Sequence, residues 1–260
     1  MASNNFKNLL SSIDALNDKA SVNVYVPSID KEIPFAPMSV KQQKDLMSSG
    51  VDTNVENLSF MNMINTIIKD NCKHPGVKVL LCDKPIVILQ LRLNAVGSDL
   101  KIEHEQQTYS VDLKEHINDI LNRYKVTSKT FEVEHDTIKI TGRIPDIDID
   151  TKYNHVFTNT VKKDNKTKVK ITDIVGNIYV SELVKYIDTV SIEDNHVSLE
   201  DGVSPGNMIK IFESLPLQVS NKLANEVKKM REYENNCLNP QGTPAEASIS
   251  IDAGLFTTSE

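Results

Sequence analysis

Val22-Asn23-Val24-Tyr25-Val26-Pro27-Ser28-Ile29-Asp30-Lys31-Glu32-Ile33-Pro34-Phe35 alternates apolar and polar residues on both sides of a Pro-Ser-Ile-Asp turn. Successive side chains of a strand point to opposite faces, so this period of two predicts a strand, a turn and a return strand. Pro34 has no backbone donor and confines the return strand to a sheet edge. Just beyond, Ser39 stands three residues before Gln42, the spacing of a capping box. It opens a helix expected to run to about Ser48, with Gly50 just past its end. A hairpin that feeds directly into a helix points to an α+β fold.

Working outward, Phe6, Leu9, Leu10 and Ile13 lie at helical spacing. They predict a short amphipathic helix within residues 1–20, or a segment that stays mobile until a partner covers it. A second helix is expected from near Val55, with Leu58, Met61, Ile64, Ile67 and Ile68 on one face, ending before His74-Pro75-Gly76. Asp83 reads as the cap of a third, with Pro85 in its first turn, where a missing N–H costs little. Residues 86–96 are apolar on most sides and belong at the centre of the N-terminal core. Beyond Gly97 the pattern turns to strands at 101–104, 108–113, 131–134 and 137–140, the last two flanking a His135-Asp136 turn. Residues 144–170, with Pro145 and many Asp and Lys, read as a long surface connection. Helical spacing returns with Val180, Leu183, Val184 and Ile187, then Met208, Ile209 and Phe212 after Ser204-Pro205. A last helix from Pro216 to Tyr233 carries Val219, Leu223, Val227 and Met230 as its stripe. The expected architecture is therefore an N-terminal β-hairpin plus helices, a β-rich middle segment, C-terminal helices and a short terminal strand at 249–252. As domains, residues 21–98 and 171–235 form a mainly helical core, 99–170 a β-rich insertion and 236–260 an extended tail.

With 260 residues the chain can bury a real core, although it has no Trp and only 39 % apolar residues. Its net charge of −7 gives no general attraction to nucleic acid. Local basic runs such as Lys162 to Lys170 lack interleaved aromatics and read as a solvated face. Cys72, Cys82 and Cys237 form no regular framework and fit a reducing compartment. Residues 1–6 do not read as a secretory leader. The densest apolar window, 86–93, is too short to span a membrane and contains Arg92.

Chemistry is sparse. None of the six histidines, His74, His104, His116, His135, His155 and His196, pairs with another at the i, i+4 spacing of a zinc protease. His104 and His116 form a weak metal candidate if they meet across the β segment beside Glu103 or Glu115. Asp146, Asp148 and Asp150 would share one face of a strand, but the Gly and the later Glu of a calcium loop are missing. Cys72 and Cys82 have no base nearby in sequence, and no G-x-S-x-G, phosphate loop or dinucleotide fingerprint occurs. The expectation is no enzyme, with no catalytic, cofactor-binding or metal-ligating residue. A metal-dependent hydrolase built on Asp146, Asp148 and His155 is the enzymatic alternative.

The order of these elements carries a resemblance. VYVPSIDKEIPFAPMSVKQQKDLM (residues 24–47), a helix, then LLCDKPIVILQLRLNAVG (residues 80–97) resemble the T4-type bacteriophage baseplate protein family, which includes tail hub assembly proteins. Pro27, Ser28, Ile33, Phe35, Pro37, Lys41, Lys44 and Leu46 fall on the family's opening motif. Asp83, Leu91, Arg92 and Gly97 fall on its second segment. Residues 180–192 and 209–229 resemble its later helices, with the Leu215-Pro216 step, and 249–256 its closing strand and aromatic. Phe35-Ala36-Pro37-Met38 departs from the family's F-R-P-F. Of the Cys-x-x-Cys pairs frequent in the family, only Cys237 is matched, so the resemblance carries no zinc site across. It implies a structural or assembly protein of the tail baseplate hub, acting by protein–protein binding. Its partners would be other hub proteins or the tape-measure protein, with no nucleic acid, membrane or small-molecule substrate. It would assemble in the host bacterial cytoplasm and reside in the virion tail; a chaperone of the tape-measure or hub complex that leaves before maturation is the alternative.

Overall fold

The computed structural model describes residues 2–49, 56–164, 171–244 and 246–256. The fold is α+β, and the chain divides into two packed units. Met1–Val79, Asp83–Tyr124 and Asn236–Glu260 form the first; Leu80–Cys82 and Lys125–Asn235 form the second.

The first unit begins with helix α1 (Ala2–Lys19), followed by the hairpin β1 (Val22–Val26) and β2 (Lys31–Phe35). Val24 pairs with Ile33 and Val22 with Phe35. Val24, Val26, Ile33 and Phe35 are buried on one face, as the period of two requires. The turn is a single 3-10 turn, Pro27–Ile29, closed by Asp30 at φ 54, a left-handed position that a short polar side chain tolerates. The sheet has only these two strands, so Pro34 is indeed at an edge, where its carbonyl accepts from Lys73 N–H at 2.9 Å.

Helix α2 (Val40–Ser49) opens with the expected capping box: Gln42 N–H donates to Ser39 Oγ at 3.2 Å and Ser39 N–H to Gln42 Oε1 at 2.9 Å. Gly50 and Val55 lie outside the described residues. Helix α3 (Glu56–Asn71) buries Ile64, Ile67 and Ile68.

Helix α4 (Lys84–Val96) is buried continuously from Lys84 to Arg92, which explains its apolar character on nearly every side. It also carries polar groups that hold the hairpin. Gln90 accepts from Tyr25 N–H and donates to Tyr25 C=O, both at 2.9 Å, so one amide side chain completes the free edge of β1 as a third strand would. Asp83 precedes α4 but does not cap it through its side chain. Its carboxylate accepts instead from Ser28 N–H at 2.7 Å and Ser28 Oγ–H at 2.6 Å, in a buried site. Arg92, 2 % exposed, donates to the carbonyls of Leu255 (3.2 Å), Asp99 (2.6 Å) and Gly97. Burial draws its guanidinium below the ordinary value, and the charge of Asp99 offsets part of this.

The hairpin β3 (Asp99–His104) and β4 (Gln107–Asp112) turns through Glu105 and Gln106, at φ 47 and 64. Helix α5 (Leu113–Arg123) follows at once, where the spacing of 108–113 suggested continued strand. Asp112 caps it by accepting from Glu115 N–H at 3.0 Å, and Leu113, His116, Ile117 and Ile120 form its buried stripe. The tail runs extended where a terminal strand was expected. It is held by the buried residues Ala247 and Ile249, by Ile249 N–H donating to Leu238 C=O at 2.7 Å, and by the 3-10 turn Ala253–Phe256.

The second unit centres on an antiparallel sheet ordered β5-β6-β7-β8. β5 (Thr130–His135) and β6 (Ile138–Arg143) form a hairpin around Asp136-Thr137, one residue later than the sequence suggested. At Gly142 an added Cβ would lie 2.3 Å from Tyr186 C=O and from the Phe131 ring, so only glycine lets the strands approach there. β7 (Ile187–Ile192) and β8 (Asn195–Ser198) complete the sheet. Ile187 therefore starts a strand, where its spacing after Leu183 and Val184 suggested helix. Helix α6 (Ile147–Asp164) replaces the expected surface connection, and α7 (Ile171–Val184) follows the residues outside the description. Ser204 caps α8 (Pro205–Glu213), accepting from Asn207 N–H at 3.3 Å. Helix α9 (Leu217–Met230) buries Val219, Leu223, Val227 and Met230, the predicted stripe, and packs on β5. Helix α10 (Glu232–Leu238) ends the run.

Candidate functional site

The acidic run is not a strand face. Asp146 accepts from Ile149 N–H at 2.9 Å and starts α6, so at about 100° per residue Asp148 turns to the opposite side of the helix from Asp146 and Asp150. Asp148 is exposed, whereas Asp150 is buried and bonded to Lys185 Nζ at 2.8 Å. His155 is exposed on the same helix. The grouping of Asp146, Asp148 and His155 proposed for a hydrolase therefore does not form. His116 is buried on α5, its Nε2 2.8 Å from Cys237 C=O, where it ties the tail down. No group of three or more His, Cys, Asp or Glu among the described residues is placed to hold a metal ion. Most of the basic run falls outside the described residues.

The structure instead assembles an ion cluster inside the second unit that no local motif signalled. Lys185 Nζ bonds Asp150 and, at 2.6 Å, Glu182 Oε1. Arg231 Nη1 lies 3.7 Å from the other oxygen of Glu182, and Arg231 Nε 3.3 Å from Glu234. Burial alone would draw the Lys185 ammonium down. The charges and hydrogen bonds of Asp150 and Glu182 outweigh it and hold the group above its ordinary value. Burial also raises Tyr153 and, well above its usual value, Tyr186. This cluster ties α6, α7 and α10 together within the unit.

In the first unit a cleft of about 390 Å³ is lined by Ser110, Asp112, Glu115, His116, Asp119 and Pro240. Three of its polar groups are engaged within the unit: Asp112 caps α5, Asp119 pairs with Arg123 at 2.5 Å and His116 holds the tail.

Helix α1 exposes Phe6 (63 %), Leu9 (60 %), Leu10 (44 %), Ile13 (43 %) and Leu16 (68 %). Residues at i, i+3, i+4 and i+7 share one side of a helix, so the five form a single stripe. Scattered apolar residues are normal on a surface; a contiguous stripe marks a face built to be covered. The spacing of Phe6, Leu9, Leu10 and Ile13 signalled this helix in the sequence, and Leu16 extends it. No described helix is long and apolar enough to cross a membrane.

A family model described as T4 bacteriophage base plate protein matches residues 19–240. No curated protein and no solved structure matches the chain.

Proposed function

The chain belongs to the T4 bacteriophage base plate protein family, and from that premise we propose that it is a subunit of the baseplate hub, held there by protein–protein contacts. The family match makes it a phage baseplate structural protein. The hub position and the mode of binding rest on the order of sequence motifs and on the α1 stripe. That stripe is the single observation that carries the binding reading: five large apolar side chains left in water on one helix face. Hub proteins and the tape-measure protein are the partners to look for, met first in the host cytoplasm and then retained in the virion tail.

Quantitative mass spectrometry of purified virions of the encoding phage tests this. The chain is expected at a fixed ratio to the other baseplate proteins. Its presence in infected-cell hub complexes but absence from virions would replace a built-in subunit with a chaperone. Absence from both would remove the hub assignment.

A further inference from the structure

We propose that residues 247–256 form a strap over a slot between α2 and α4, and that this strap opens while the rest of the first unit stays folded. The proposal goes beyond the reading of α1 and uses none of its residues. Leu255 and Phe256, 3 % and 1 % exposed, are the plug. They lie in the 3-10 turn Ala253–Phe256, which packs against α2 and α4. Two side chains grip the plug by its backbone: Gln43 Nε2 donates to Phe256 C=O at 2.6 Å, and Arg92 Nε to Leu255 C=O at 3.2 Å. The slot thus reads two consecutive carbonyls and an aliphatic–aromatic pair, and its occupant is the chain's own Leu255-Phe256.

The walls of the slot are fixed without the strap. Gln42 Nε2 donates to Asn71 Oδ1 at 2.7 Å and ties α2 to α3, while the capping box with Ser39 holds the start of α2. Helix α4 is joined to the first hairpin through Gln90 on Tyr25, and Asp83 just ahead of it through Ser28. Arg92 keeps its bonds to the carbonyls of Asp99 and Gly97 when Leu255 leaves, so its guanidinium stays aimed at the slot. A site whose donors are already oriented loses little freedom each time the plug returns.

The strap has far less to hold it. Residues 247–252 belong to none of the sheets among the described residues. Ala247 N–H and Leu255 N–H bond inside the tail itself, to Pro244 C=O at 2.9 Å and Asp252 C=O at 3.2 Å. Ile249 N–H ties it back to Leu238 C=O at 2.7 Å. Upstream, Pro240, Gly242 at φ 80 and Pro244 interrupt regular structure and supply a hinge. Ordering an extended segment costs entropy at every residue, and against it stand the buried side chains of Ala247, Ile249, Leu255 and Phe256. Segments with few buried contacts and no ladder are the ones that open locally. Phe256 also borders a cleft of about 350 Å³ lined by Met38, Val40, Ala95 and Val96, so the slot meets solvent on that side. Closed, the strap keeps the slot from any competing segment of the same chemistry.

Hydrogen exchange of the full wild-type chain, read residue by residue in low urea, is the test. Relative to its unfolded rate, the Ile249 amide should exchange about 100-fold faster than the amides of α4, with little dependence on urea. Gln43→Ala removes one donor to the plug and should speed Ile249 exchange roughly five-fold while leaving α4 unchanged. Leu255→Asp with Phe256→Asp places two carboxylates in the slot and should hold the strap open. Protection is then lost at Ile249 and kept in α2, α3 and α4. A dye-labelled peptide of residues 246–256 should bind this open variant and not wild type, read by fluorescence anisotropy. Wild-type Ile249 exchange as slow and as urea-dependent as that of α4 makes the strap part of the cooperative core and overturns the proposal. Loss of α4 protection in the double variant overturns it as well, because the walls would then depend on the strap. A folded double variant that leaves the peptide unbound shows that no slot persists, and the proposal fails.

Discussion

Lys185→Met removes the cation of the buried cluster with little change in side-chain length. In the wild type the Lys185 and Asp150 side chains are 5 % and 4 % exposed and 2.8 Å apart. Glu182 is less affected, since it is 32 % exposed and still faces Arg231. The cost therefore falls mainly on Asp150, a buried carboxylate that loses the ammonium 2.8 Å away. Breaking such a pair from one side costs about 3–5 kcal/mol, whereas replacing both charges by neutral groups is often close to neutral. For a unit of about 110 residues each kcal/mol moves the midpoint by roughly 4 °C, so Lys185→Met should lower it by about 12–20 °C. Calorimetry of the full chain, with hydrogen exchange on peptides of α6 and α7, reads the loss in the second unit. The double variant Lys185→Met with Asp150→Asn should recover most of it. A loss under about 1 kcal/mol, or a double variant no better than the single, would refute the account of a charge pair sealed from solvent.

Three further perturbations probe other elements. Asp83→Asn weakens charge-assisted acceptance from Ser28 and should cost about 1–2 kcal/mol in urea unfolding, with faster exchange across residues 22–35. Gln106→Gly relieves a left-handed residue in the β3–β4 turn and should stabilise the first unit by about 0.5–1 kcal/mol, read as a higher urea midpoint with an unchanged slope. Alkali should unfold the second unit. Lys185, Tyr153 and Tyr186 all have folded values raised above their ordinary 10.5, 10.0 and 10.0, so their contribution is intact below those values and is lost as pH rises through the folded ones. Near-UV absorbance and exchange followed through the alkaline range should report tyrosine ionisation together with loss of protection in that unit.

Local signals were legible wherever the chain itself supplies the partner. The β1–β2 alternation, the Ser39–Gln42 box, Ser204 as a cap and the α9 stripe all depend on neighbours within a few residues, and each forms as its spacing implies. Failures cluster where distant residues decide. Asp83 has every local feature of a cap, yet a backbone N–H and a hydroxyl 55 residues away claim its carboxylate. Asp146 to Asp150 alternates as a strand would. Asp146 accepting from Ile149 N–H and Asp150 meeting Lys185, 35 residues on, turn it into a helix start. Ile187 continues a helical spacing on paper, but pairing with Gly142 draws it into the sheet.

The α1 stripe was legible for the opposite reason. Its five large apolar side chains stay exposed, so their spacing is that of the helix itself. Buried stripes such as that of α9 are broadened by packing against several elements, and their spacing says little about any single one of them. A stripe left in water keeps the spacing that its own helix sets, with Phe6, Leu9, Leu10, Ile13 and Leu16 on one side. The apolar residues of β1 and β2, by contrast, alternate just as cleanly, but they are consumed inside the first unit. Exposure separates the two cases: the same kind of pattern specifies a fold where it is buried and a binding surface where it is not. On that ground the exposed face of α1, rather than any of the histidines or carboxylates, is where we propose that this baseplate protein binds a partner.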